Sequence, residues 1–110
     1  MLFPLTEEEA LAVLEQLTEK LRNEFADKTP LGFPIKFDLG DEGVIHVDGT
    51  TTPMEVSNDD KPAETTFGVT PEDLAAMVDG DLPPMSAFMS GKLKVDGDMT
   101  KAMQVSGLFS

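Results

Sequence analysis

Two kinds of hydrophobic spacing alternate along this chain, and each predicts a different element. Leu11, Leu14, Leu17 or Thr18, Leu21 and Phe25 recur every three or four residues, the period of one helix face. A start signal precedes them. Thr6 with Glu9 three residues later makes a capping box, Leu5 and Ala10 are placed as its staple, and Glu7, Glu8 and Glu9 sit where the helix dipole favours acids. The stripe runs to about residue 26 and needs a surface to lie on. From Pro34 the period drops to two: Ile35, Phe37 and Leu39 face one way, Lys36 and Asp38 the other. "DEG" at 41–43 predicts a turn and "VIHVD" at 44–48 the returning strand of a hairpin. Weaker strands are predicted at "PMEVS", 53–57, and "ETTFGVT", 64–70, with the loop-like "NDDKP" between them.

The period then returns to that of a helix. Thr70-Pro71-Glu72-Asp73 supplies a hydroxyl cap, a proline at the first helical position and acids behind it. Leu74, Met77 and Val78 form the inward face of that helix, and Gly80 closes it. After Pro83-Pro84 a second short helix places Met85, Phe88 and Met89 on one side and ends at Gly91. "KLKVD", 92–96, is a fifth strand with Leu93 and Val95 inward and both lysines outward. Asp98 caps a last helix that carries Met99, Ala102 and Met103, and "GLFS" follows. Helix, four strands, two short helices, strand, helix sums to an α+β fold, a five-stranded sheet with helices covering one face.

The run "GVTPEDLAAMVDGDLPPMSAFMSGKLKVDGDMTKAM", 68–103, resembles the signature half of the sterol carrier protein 2 domain family. The matching features are the capped "TPEDLAAM" helix, the glycine about ten residues into it, Ala87-Phe88, the Gly91-Lys92-Leu93-Lys94-Val95 strand, Gly97, and a final helix of small residues and methionine. The N-terminal half matches by pattern alone. The resemblance implies a mostly antiparallel sheet with an apolar tunnel between it and the helices, holding a sterol, fatty acid or fatty acyl-CoA. Together with the inward positions above, it places the lining at Phe37, Ile45, Val47, Phe67, Leu74, Met77, Met85, Phe88, Met89, Leu93, Val95, Met99, Met103 and Leu108. Two departures stand out: the chain ends Leu108-Phe109-Ser110 where eukaryotic members often carry a peroxisomal tripeptide, and Ser90 stands where relatives often have glutamine.

Composition narrows the picture. With 110 residues, the chain is expected to form one such domain over 1–110. Eight basic residues against 21 acids, a net charge of −13, argue against any groove that tracks nucleic-acid phosphates and against standing attachment to anionic lipid. A transient contact with a membrane or an enzyme stays open. Zero cysteines exclude disulfides and thiolate metal sites. "MLFPL" is too short and lacks the basic flank for a secretory signal, so a cytoplasmic location is expected.

The candidate chemistry is then weighed residue by residue. Met77, Met85, Met89, Met99 and Met103 either fill an ordinary core or, being unbranched and polarizable, line a space that adapts to guests of several shapes. At ~0.8 kcal/mol per buried methylene, a ~16-carbon chain gains on the order of 10 kcal/mol gross. Ordering and encounter take back several of these, which leaves micromolar or somewhat tighter binding without a catalytic constellation. His46 is the only histidine and reads as structural or surface; no nucleophile elbow accompanies it. The "DGD" and "NDD" acids read as caps and turns, since no calcium-loop ligand series follows. No cofactor or metal is expected. Lys92, Lys94 and Lys101 either protect a sheet edge or greet a lipid headgroup. The last helix with its "GLF" tail is a candidate lid, or else an ordinary docked helix. A lipid carrier without turnover is the leading reading. A non-binding interaction or dimerisation module beside a lipid-metabolising enzyme is the alternative.

Overall fold

Residues 6–109 are described by a computed structural model. Helix α1 spans Glu7–Phe25 and opens with the expected reciprocal cap: Glu9 N–H donates to Thr6 Oγ1 at 3.1 Å and Thr6 N–H to Glu9 Oε1 at 3.2 Å. The expected staple with Leu5 lies outside the described residues. Leu14, Leu17, Thr18, Leu21 and Phe25 are buried, as the helical period requires. Leu11 departs from the expected stripe. Leu14 is the first to pack, over the turn at Gly43, while Leu11, one turn nearer the helix start, stays exposed.

α1 is held against one sheet edge by polar contacts. Arg22 Nη2 donates to the Val56 carbonyl at 2.7 Å. The buried Thr18 hydroxyl donates to Leu14 O at 2.6 Å and accepts from Asn58 Nδ2 at 2.9 Å, so its polar group has partners at no cost in unpaired burial.

The sheet contains β1 (Pro34–Asp38), β2 (Val44–Asp48), β3 (Glu55–Ser57), β4 (Thr65–Gly68) and β5 (Lys94–Gly97) in the order β3-β2-β1-β4-β5. All neighbours are antiparallel except β1 and β4, which run parallel at the centre. The register lines up Ile45, Phe37, Phe67 and Val95 across four strands on one face. Gly97 has φ 118°, and a Cβ there would sit 2.6 Å from the Glu64 carbonyl oxygen, so only glycine suits this close pairing.

The fifth strand begins at Lys94 rather than at the expected residue 92. The reason is local: the N–H groups of Lys92 and Leu93 both donate to Ala87 O, at 2.9 and 3.0 Å, closing the preceding helix instead of entering the ladder. Helices α2 (Pro71–Asp79), α3 (Pro84–Met89) and α4 (Met99–Ser106) complete the cover, with a short 3-10 turn at Gly107–Phe109. Thr70 caps α2 and Gly80, at φ 85°, ends it in the left-handed conformation. No helix among the described residues is long and apolar enough to cross a membrane.

Ile35, in the central strand β1, has no exposed surface and does not line the cavity under the short helices. Ile35→Ala is expected to cost about 2–5 kcal/mol, read as a fall in the urea midpoint with an unchanged slope. A cost below ~1 kcal/mol would contradict a close-packed centre.

An apolar cavity under α3 and α4

α1 covers the β2–β3 side of the sheet. The β4–β5 side is left to α3 and α4, which are only six and eight residues long. α3 buries a single residue, Ala87. A cover so short leaves space beneath it. That space is a cavity of about 280 Å³. Phe37, Phe67 and Val95 of the cross-strand row form its floor, and Met77 and Leu93 contribute from α2 and the turn before β5. α3 adds Pro84, Met85 and Phe88. α4 and the turn after it add Met99, Ala102, Met103, Val105, Ser106 and Phe109. Met85, Phe88, Met99 and Met103 are also exposed to solvent, so the cavity opens between the two helices.

α4 is fixed at both ends. At its start the Asp98 carboxylate accepts from the N–H groups of Thr100 and Lys101, at 2.9 and 3.2 Å, and the Asp98 carbonyl accepts from the buried Thr65 hydroxyl at 3.2 Å. At its far end the Phe109 ring meets Phe25 of α1 edge-on, centroids 5.7 Å apart, and Phe37 of β1 at 6.2 Å. Phe37 in turn stacks on Phe67 at 5.4 Å. The candidate lid is therefore a clamped wall.

The wall offers almost nothing polar. Ser106 is its one polar residue, and its hydroxyl donates to the Met103 carbonyl at 2.6 Å. The volume is nearly twice that of an engineered ~150 Å³ apolar cavity that stays dry and takes up benzene. It lies just under the ~300 Å³ at which pockets begin to enclose drug-sized ligands. Such a space accepts part of a hydrocarbon chain or ring system and rejects an ion that would have to shed its water.

Phe37, Phe67, Met77, Met85, Phe88, Leu93, Val95, Met99 and Met103 were expected on the wall, and the fold brings them together there. Five others fall elsewhere. Ile45 and Val47 are fully buried in β2, on the α1 side of the sheet. Leu74 is buried within the packing of α2, Leu108 is buried off the wall, and Met89 projects into solvent from the end of α3. Period-two and helical spacing show which positions point inward but not which half of the sheet each helix covers. Pro84, Val105 and Ser106 were missed, while Ala102 and Phe109 were expected in the last helix and its lid-forming tail but not as lining. For Ala102 and Ser106 a signal existed: Met99, Ala102, Met103 and Ser106 follow the i, i+3, i+4, i+7 spacing of a single face.

The three candidate headgroup lysines are not on the wall. Lys92 and Lys94 border a separate groove with Asp38, Glu72 and Asp73, because Lys94 pairs with Gly68 at the end of β4 and α2 starts three residues later. Lys101 pairs with Glu64 at 3.2 Å and lies 5.4 Å from the Phe33 ring centroid.

His46 is also remote. It is 4% exposed, on the opposite sheet face from Ile45 and Val47, with Nε2 placed 3.1 Å from the Pro62 carbonyl by the loop that covers it. Beside it the Asp48 carboxylate is held below its ordinary range by the Thr50 hydroxyl, then by the Thr50 backbone N–H at 3.0 Å, against a smaller opposing effect of burial. The other tempting acids have structural work: Asp79 pairs with Lys20, Asp60 with Lys36, and Asp98 caps α4.

The comparisons with known proteins agree with this fold. The model of the SCP-2 sterol transfer family matches residues 10–110, and the chain belongs to that family. Sterol carrier protein 2 from Gallus gallus is 33% identical over 104 residues, 87% of this chain and 19% of that protein. The chain spans a fifth or less of the length of the first curated relatives it matches. The solution structure of sterol carrier protein domain 2 of Helicoverpa armigera superposes with a TM-score of 0.74 at 20% identity, covering 97% of this chain and 92% of that one. That of palmitated SCP2L2 from Aedes aegypti gives 0.65 at 20% identity, covering 87% and 93%. The five-stranded sheet with its helical cover is thus the fold of this family, whose members are in general lipid-binding and lipid-transfer domains.

Reversing both charges with Lys92→Glu and Lys94→Glu is expected to leave the rate of fluorescent fatty-acid uptake within about twofold of wild type, since both lie off the cavity and exposed charges act weakly at a distance in salt. A clear slowing would put a headgroup site on that strand after all.

Proposed function

We infer that this chain is a lipid carrier that holds the hydrocarbon part of a sterol, fatty acid or fatty acyl-CoA under α3 and α4, without turning it over. The supporting observation is the cavity itself: about 280 Å³, floored by phenylalanine and roofed by methionine and small residues. A wall of this kind gains roughly 0.8 kcal/mol per methylene removed from water and asks for no polar match. The unbranched thioethers adjust to straight chains and fused rings alike. The absence of charge on the wall leaves any headgroup at the mouth, in water. The palmitated relative from Aedes aegypti lends the reading support by analogy of fold. Loading and unloading take place by transient contact with a donor or acceptor, a membrane or a lipid-metabolising enzyme.

The interaction-module reading requires the space to be filled by the protein's own side chains, and the cavity counts against it. Filling it deliberately separates the two. Ala102 faces the cavity from α4 and is small. Ala102→Phe is expected to keep the far-UV circular dichroism of wild type while weakening displacement of a fluorescent fatty acid about tenfold or more. Wild-type affinity in a folded Ala102→Phe protein would mean that lipid binds elsewhere.

A further inference from the structure

The cavity explains some of the exposed apolar surface but not all of it. α3 and α4 each present a methionine pair four residues apart, one helical turn, to solvent: Met85 and Met89, Met99 and Met103. Their exposures are 58, 78, 49 and 64%. Three of the four reach the cavity wall; Met89, the most exposed, does not. Phe88, also well exposed, lies between Met85 and Met89 in sequence and on the wall. A solvent-facing collar of large apolar side chains around an apolar opening marks an interaction site.

Charge tells what the collar fits. The chain carries 21 acids, yet residues 84–89 and 99–109, the two helices and the turn after α4, contain none. Their one base, Lys101, is paired with Glu64. The face is therefore apolar and electrically near neutral, on a protein whose other surfaces carry the net charge of −13. We propose that this collar docks on the surface of a zwitterionic lipid bilayer, with the methionines entering the interface and the cavity mouth opening directly onto the acyl chains. The acidic remainder orients the molecule, since an approach by any other face brings carboxylates toward a medium that cannot solvate them. An apolar guest then passes between bilayer and cavity without crossing water. The proposal rests on the carrier reading above for its purpose but not for its geometry.

Flotation with phosphatidylcholine vesicles tests it. The wild-type chain is expected to float with the vesicles, largely independent of salt. Met89→Glu is expected to weaken that association about tenfold or more, and Met89→Leu to retain it. Leu11→Glu, at an exposed apolar position on α1, is expected to float like wild type. Wild-type protein that stays at the bottom of the gradient overturns the proposal. So does flotation lost in Leu11→Glu but kept in Met89→Glu, or binding that strengthens when phosphatidylserine replaces part of the phosphatidylcholine. Sedimentation without vesicles checks for another occupant: a wild-type dimer that Met89→Glu makes monomeric gives the face to a second copy and overturns the docking. Fatty-acid displacement without vesicles separates the two readings, because Met89 lies off the wall. Normal displacement without flotation ends the docking proposal and leaves the carrier standing; flotation without displacement supports the docking and ends the carrier.

Discussion

The contact of the Phe109 ring with Phe25 and Phe37 is the constraint on which the rest of the structure depends. It ties the end of the last helix to α1 and to the central strand at once. With the Asp98–Thr65 contact at the other end, it suspends α4 across the β4–β5 half of the sheet like a short beam. A beam fixed at its ends does not sink onto the floor in between. The six wall residues that α4 and its following turn supply stay facing a floor of Phe37, Phe67 and Val95, and a hydrocarbon-sized space persists between them. A longer helix with bulkier inward residues would have closed it.

The same economy of cover accounts for the surface. α3 buries only Ala87, so its remaining side chains line the opening or face water. α4 buries Ala102 and Val105. Methionine suits positions that are part wall and part surface, because a flexible thioether loses little when half of its contacts are with a guest rather than with the protein. The acids that keep the chain strongly charged gather on other elements, where they cap helices, pair with lysines or meet solvent. Placing none on α3, α4 or the turn that follows keeps the mouth free of groups that would hold water there.

Much of this was legible before any coordinates. The capping box of α1, the proline-led start of α2 and the Gly80 stop are local signals, and local signals survive folding. Phe37, Phe67 and Val95 could be read as inward from alternation alone. Ile45 and Val47 carry the same alternation, yet they lie under the other half of the cover; nothing within five residues of them says so. That division is tertiary, fixed by Arg22 and Asn58 reaching across to β3 and α1. Lys92 and Lys94 are exposed, as expected, but they lie where β5 begins, beside the acidic start of α2 rather than at the mouth. His46 looked like a strand residue facing solvent or core, and only the loop that brings the Pro62 carbonyl to its ring reveals that it is buried on the far face. Phe109 was placed on the lid by sequence, but its role as a wedge depends on two rings far away in the chain.

The central claim is that the space under α3 and α4 takes up a hydrocarbon guest. Methionine methyl NMR addresses it most directly, because the probes are already in place. On titration with a fatty acid, the methyl signals of Met77, Met85, Met99 and Met103 are predicted to shift together, while that of Met54, buried beside β3 away from the cavity, stays put. Shifts at Met54 with the wall methionines unmoved, or no shift at any methionine, would contradict the account.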